Sequence, residues 1–204
     1  MLSAMDRATA GDGLRARGKA RRRAAITHAA FELFATQGYD ATTIAEIAAA
    51  AEVSPRTVTL YFRSKQDIAF SVFDAAALSL TEVLRGRAPG ESALHALEGW
   101  LREEMACQDE TDELEMRMFE ANPELRAVRS ARMAAVIEEG ARIFAEETGQ
   151  APEGIGPRLV AVAAAAVATE VFEHPEGTDR DQAITAAMAF LAGGIEAMTA
   201  VVRD

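Results

Sequence analysis

Apolar residues recur at intervals of three and four along most of the chain, with no run of strict alternation, so the pattern predicts helices throughout and no strand. Ile26, Ala29, Ala30, Leu33 and Phe34 form the inward stripe of a first helix expected from about Arg21 to Thr36. Gly38 supplies the left-handed exit, and Tyr39 is placed to fold back as an apolar clamp. Two short helices then follow within Thr42 to Lys65. Thr43 with Glu46 three places on is a capping box that starts helix two, and Ile44, Ile47 and Ala48 fall on its buried face. Ala51 to Ser54 breaks the pattern. Ser54 caps helix three, Pro55 occupies the first helical position where its missing amide costs nothing, and Val58 and Phe62 face inward.

A fourth helix, capped by Ser64 with Asp67, is expected to run unbroken to about Leu84, carrying Ile68, Val72, Phe73, Ala76 and Leu80 on its apolar side. Gly86 to Gly90 is the clearest break in the chain. Five body helices are predicted beyond it: Ser92 to Cys107, Asp112 to Glu120, Pro123 to Thr148, Gly156 to Glu173 and Asp179 to Val202. The fold class is therefore all-α: a three-helix head, a long fourth helix and a five-helix body. The boundaries expected are a disordered basic arm over 1–20, a helix-turn-helix domain over 21–63 and a body over 64–204.

The outward face of helix three carries Arg56, Thr57, Thr59 and Leu60, a cation and hydroxyls of the kind that suit a DNA major groove. A net charge of -11 argues against nucleic acid until its distribution is considered. Residues 1–70 hold ten Lys and Arg against seven Asp and Glu, a balance of +3, and the remainder holds 11 against 25, a balance of -14. The basic end suits phosphates, and the acidic end is repelled by them. Arg15, Arg17, Lys19, Arg21, Arg22 and Arg23 concentrate this charge around the start of the first helix. They read either as an arm lying on DNA or as a solvated tail. Gly13 to Lys19 has the spacing of a phosphate-binding loop, but Ala20 replaces the metal-binding hydroxyl and no strand precedes it.

From Ala24 to about Leu84 the chain resembles the tetracycline-repressor (TetR) family of bacterial transcription regulators. The resemblance is carried by AAFELFATQGYDATT, IAEIAAAAEVS, the threonine-bearing helix and YFRSK, in that order and spacing. Two positions depart from the family pattern: Glu52 stands where the turn glycine is usual, and Thr59 where a phosphate-binding tyrosine is common. The DNA-facing set expected is Thr43, Ser54, Pro55, Arg56, Thr57, Thr59, Leu60, Tyr61 and Lys65. Within it Arg56 and Thr57 read bases, while Thr43, Tyr61 and Lys65 hold phosphates.

Met and aromatic residues spread over the body helices read either as plain core or as a cavity for an apolar small molecule. The expected lining is Trp100, Met105, Met118, Phe119, Met133 and Ile137. The last two predicted helices are rich in Ala and Gly, which lets helices approach closely, and suits either mutual packing or a symmetric dimer. The resemblance implies the dimer, with Val162, Ala166, Ala187, Leu191 and Ile195 at its interface and two heads addressing a near-palindromic double-stranded operator. It further implies a repressor released when an effector displaces the fourth helix.

No metal or cofactor site is expected, since His28, His95, His174 and Cys107 are scattered. Cys107 is expected to be a packed structural thiol. The longest apolar run, Leu159 to Ala168, is too short to span a bilayer, and the first twenty residues lack a secretory core, so no membrane helix and a cytoplasmic location are expected. The alternative is a helical carrier or enzyme for apolar molecules with a vestigial head. It lacks a nucleophile motif, and the intact Ser54-Pro55-Arg56-Thr57 cap speaks against it.

Overall fold

The computed structural model describes the backbone of residues 3–173 and 180–203 and the side chains of 16–172 and 181–197. The side chains of Arg15 and His174 and the helix start expected at Asp179 lie outside the described residues. Among those described, every regular element is an α-helix: α1 Ser3–Gln37, α2 Ile44–Ala50, α3 Pro55–Tyr61, α4 Lys65–Ala69, α5 Ser71–Gly86, α6 Ala93–Cys107, α7 Glu110–Ala121, α8 Pro123–Thr148, α9 Ile155–Glu173 and α10 Arg180–Arg203. The predicted all-α class holds, and most predicted boundaries fall within three residues of those observed.

Two boundaries differ. Helix α1 begins at Ser3, so the backbone of the stretch expected to be a disordered arm is helical and continuous with the first head helix. Its Ala, Arg, Leu and Lys residues are strong helix formers, and extending a helix already anchored downstream avoids the cost of nucleation. The expected fourth helix is two helices, because Phe70 closes α4 at φ -106°, ψ 12° before α5 begins at Ser71. The Phe70 ring is wholly buried and lies 5.5 Å from that of Phe119. A continuous periodicity hides such a break, since both pieces bury residues at helical spacing.

The chain folds as two compact units. The first comprises residues up to Val72 together with Glu110–Pro123; the second comprises Phe73–Asp109 and Glu124 onward. Helix α7, expected in the body, therefore belongs with the head, where α1 packs against α7, α2 and α4. Ile26, Phe31, Phe34, Ile47, Val58, Ile68 and Met118 are fully buried in this unit. Asn122, at the end of α7, is 2 % exposed. Its amide group donates to the carbonyls of Phe34 (2.8 Å) and Met118 (2.7 Å), and its side-chain oxygen accepts from the Tyr39 amide at 2.6 Å. One side chain thus serves carbonyls at the ends of two helices, which have no intrahelical partner.

In the second unit, one apolar cluster joins α5, α6, α8, α9 and α10 around Leu97, Trp100, Leu101, Phe144, Ala161, Ile184 and Leu191. Ion pairs fringe it, including Arg132 with Asp74 and Arg85 with Glu139. Cys107, the last residue of α6, is exposed rather than packed, because the apolar stripe ends at Met105. The bilayer expectation also needs correction. Ile155–Phe172 has a mean hydropathy of 1.6 and is long and apolar enough to cross a membrane by length and composition alone. Gly156, Pro157, Arg158, Thr169 and Glu170 interrupt its apolar run, which is why counting unbroken residues missed it. Val160, Ala161 and Ala164 seat one face of this helix on the cluster of the second unit.

Replacing Asn122 by Ala leaves the Tyr39 amide and two helix-end carbonyls without this partner and is expected to cost about 2–4 kcal/mol, read as a lowered urea midpoint. An unchanged midpoint would show that water serves these groups equally well.

Candidate nucleic-acid interface

The interface is built on caps. Thr43 has the extended backbone of an N-cap; its hydroxyl accepts from the Glu46 amide at 3.2 Å, and the Glu46 carboxylate accepts from the Thr43 amide at 2.8 Å and hydroxyl at 2.7 Å. The Thr43 hydroxyl and then its amide hold the Glu46 carboxyl below its ordinary range, so the cap favours the ionised form. Helix α2 ends in a Schellman motif: the Glu52 amide donates to the Ala49 carbonyl (3.2 Å) and the Val53 amide to that of Ala48 (2.9 Å). Glu52 has φ 54°, the left-handed conformation that glycine adopts most readily. The turn keeps its geometry without the glycine, and the side chain bears the strain.

Ser54 then caps α3, its oxygen accepting from the Thr57 amide at 3.0 Å and lying 2.8 Å from the Thr57 hydroxyl. Val58 is wholly buried, while Pro55, Arg56, Thr59 and Leu60 are exposed on the opposite face. The Thr59 hydroxyl turns back to donate to the Arg56 carbonyl at 3.0 Å. The Arg56 side chain makes no hydrogen bond or ion pair among the described residues. At the far end of α3, the Arg23 guanidinium lies 4.3 Å from the centre of the Phe62 ring and donates to the Tyr61 carbonyl at 3.3 Å. Sequence reading grouped Arg23 with a charged tail; the structure makes it the C-terminal fastener of α3. Its neighbours Arg17, Lys19, Arg21 and Arg22 are exposed.

Lys65 is also placed differently from expectation. Its ammonium donates to the carbonyls of Tyr39, Asp40 (3.3 Å) and Thr42 (2.9 Å) and lies 4.3 Å from the centre of the Tyr39 ring. An ammonium has three donors, and three carbonyls take them. The expected phosphate clamp is thus a fastener of the corner between α1 and α2. Tyr61 is half-buried, and Thr43 remains exposed beside its cap.

The expected ligand lining is divided. Met118 and Phe119 are buried in the first unit, whereas Trp100, Met105 and Ile137 belong to the apolar cluster of the second, and Met133 there is half-buried. The Trp100 indole donates to Ser79 Oγ at 3.1 Å and meets the Phe172 ring edge-on at 5.8 Å. The expected dimer set is divided too. Val162 and Ala166 are exposed on α9, but Leu191 is 4 % exposed, and Ala187 and Ile195 pack on the same cluster. These three lie on the inward stripe of α10 with Ile184 and Met188. The exposed apolar residues are instead Ile155, Leu159 and Val162 on α9 and Phe190 on α10. A small-residue helix offers two similar stripes, and only Phe190, bulky among alanines, marks the outer one.

Known proteins share the family and the fold of this chain. Residues 26–72 match the family described as "Bacterial regulatory proteins, tetR family", and residues 89–196 match the "MftR C-terminal domain". The chain is 35% identical over 149 residues to the HTH-type transcriptional regulator TcmR of Streptomyces glaucescens, covering 68% of this chain and 66% of that protein, just under two thirds of its length. It is 27% identical over 181 residues to MftR of Mycobacterium tuberculosis, covering 84% and 89%. Its fold is similar to that of SmeT in complex with triclosan, with a TM-score of 0.61 at 20% identity over 85% of this chain and 90% of that one. SmeT is the repressor of a Stenotrophomonas maltophilia multidrug efflux pump.

Two substitutions test the caps. Glu52→Gly relieves the left-handed strain but adds chain entropy, and is expected to stabilise the first unit by about 0.5–1 kcal/mol in thermal or urea unfolding. A loss of stability would show that the Glu52 side chain has a compensating role. Lys65→Met should cost about 1–3 kcal/mol in the absence of any DNA, because three carbonyls lose a charged donor. Unaltered unfolding would return Lys65 to the phosphate-holding role.

Proposed function

The chain belongs to the tetR family of bacterial regulatory proteins, and from that premise we propose that it is a homodimeric, cytoplasmic transcription repressor released from its operator by a small apolar effector. The observation that carries the DNA-binding reading is the polarity of α3: Val58 is wholly buried beneath it while Arg56, Thr59 and Leu60 stand exposed above, within the basic part of the chain. Seven residues capped at the start by Ser54 and fastened at the end by Arg23 present a rigid face that suits a major groove. Arg56 then reads a base edge, and Arg21 and Arg22 lie on phosphates. The relatives are transcriptional regulators, and the intact α3 disfavours a carrier or enzyme with a disused head.

Dimerisation is assigned to the outer stripes of α9 and α10. Ile155, at 72 % exposure, and Phe190, at 70 %, are large apolar groups that a lone chain leaves in water. Two copies meeting through α9 and α10 form a four-helix interface that covers them, and two heads about one DNA turn apart call for a near-palindromic operator.

For the effector, the triclosan bound by SmeT is a precedent in a protein of the same fold. The site proposed here is the neighbourhood of Trp100, Met105 and Ile137 in the second unit, where the indole already has a polar partner in Ser79. The chain passes between units at residues 72–73, 109–110 and 123–124. A displacement of α6 or α8 is therefore carried covalently into α7, which Asn122 ties to the α1 corner. The coupling must be reciprocal: operator DNA weakens effector binding by the factor that effector weakens DNA binding.

Gel-shift titration with DNA flanking its own gene, together with sedimentation, tests the proposal. Wild type is expected to bind as a dimer and to lose operator affinity with dimerisation in Phe190→Arg, since this buries a charge without a partner in each copy. A monomeric wild type at micromolar concentration, or a dimeric Phe190→Arg, would overturn the assignment of the interface.

A further inference from the structure

We infer that Leu60 determines specificity by contacting the C5-methyl group of a thymine in the same half-site that Arg56 addresses. This rests on α3 being the recognition helix. Leu60 is 82 % exposed, more than any other large apolar side chain among the described residues. The others that stand out, Leu78, Ile155, Leu159, Val162 and Phe190, lie in the acidic remainder of the chain, whereas Leu60 lies within residues 1–70, where Lys and Arg outnumber Asp and Glu. Arg56 precedes it by one helical turn, and exposed Arg63 follows three residues later. An apolar partner protein would have to bury both guanidinium groups to reach Leu60. Duplex DNA receives them on phosphates and base edges, and the apolar feature of its major-groove edges is the thymine methyl.

The polar alternatives on this helix are already engaged. The Ser54 and Thr57 hydroxyls share a 2.8 Å hydrogen bond, and that of Thr59 donates to the Arg56 carbonyl, which leaves the Thr59 methyl as that residue's outward surface. Positions 59 and 60 therefore present an apolar pair beside a cation. That pairing selects a thymine near a guanine, since arginine pairs with the O6 and N7 acceptors of guanine while leucine and the threonine methyl cover the C5-methyl group.

The test replaces thymine by deoxyuridine, which keeps base pairing and removes only the methyl. Binding sites are first selected by the full chain from a random duplex pool; each thymine of one half-site is then replaced singly. At one or two positions the change should lower wild-type affinity by about 3- to 10-fold, the size expected for one buried methyl group. Leu60→Ala should show a smaller thymine-over-deoxyuridine preference at those positions than wild type, with an unchanged melting curve because the side chain is exposed. Deoxyuridine without effect at every position, or an equal penalty in Leu60→Ala, would overturn the inference while leaving DNA binding intact. A pool that enriches no sequence would overturn the regulator reading itself.

Discussion

The first unit depends on how the exit from α1 is closed. A helix ends with carbonyls that have no intrahelical partner, and at this exit one nearby side chain and two distant in sequence donate to the helix end and to the loop that follows it. The Thr42 hydroxyl donates to Gly38, Lys65 to the loop carbonyls after it, and Asn122 to Phe34. Tyr39 is gripped from both sides, its ring 5.1 Å from that of Phe34 and beneath the Lys65 ammonium. Because Lys65 begins α4 only four residues after α3 ends, the corner fixes where the recognition helix terminates. Arg23 acts on that same end from about four turns earlier in α1. The position of α3 is thus set by charge-assisted contacts to backbone as much as by its one buried residue, Val58.

Much of this was legible in the sequence because caps are local. Thr43 with Glu46, Ser54 with Pro55, Ser64 with Asp67 and the glycine at 38 each announce a helix end through residues no more than four apart, and each end lies where those residues put it. The roles that escaped are those whose partners are far away in the chain. Lys65 reaches 26 residues back to Tyr39, and Asn122 reaches 88 to Phe34. Nothing in the local pattern of YFRSK or EANPE signals either contact. Asn122 precedes a proline and reads as a helix break, which it is, but a buried Asn in such a place also has donors and an acceptor to satisfy.

A second kind of ambiguity arises from composition. In α10, alanines and glycines occupy both the inward stripe of Ile184, Met188 and Leu191 and the outward stripe that includes Phe190. Amphipathic patterning relies on contrast between faces, and this helix has little. Its sibling α9 is the extreme case: so uniformly apolar that length and hydropathy alone pass it as a membrane span, although Val160, Ala161 and Ala164 pack on the second unit's core. Its outer face mixes the exposed apolar groups Ile155, Leu159 and Val162 with the charges of Arg158 and Glu170. In the dimer proposed above, a second copy of the same helix pair covers the apolar part of that face.

The division of the chain into units also changes what a change in the second one can do to the first. If the head ended near residue 63, a single helix would have to carry any displacement. With Glu110–Pro123 folded into the first unit, the chain enters it again between α6 and α8 and leaves through a residue pinned to the α1 corner. Two covalent routes of different length then converge on the segments that flank α3: α5 through the short helix α4, and α7 through Asn122. Phe70 interrupts the first route with a non-helical residue, which can absorb motion along it. The second ends in two hydrogen bonds from one buried side chain to the α1 corner, at Phe34 and Tyr39. Within the first unit, α7 is thus tied directly to the α1 corner, while α4 meets α5 at a residue outside both helices.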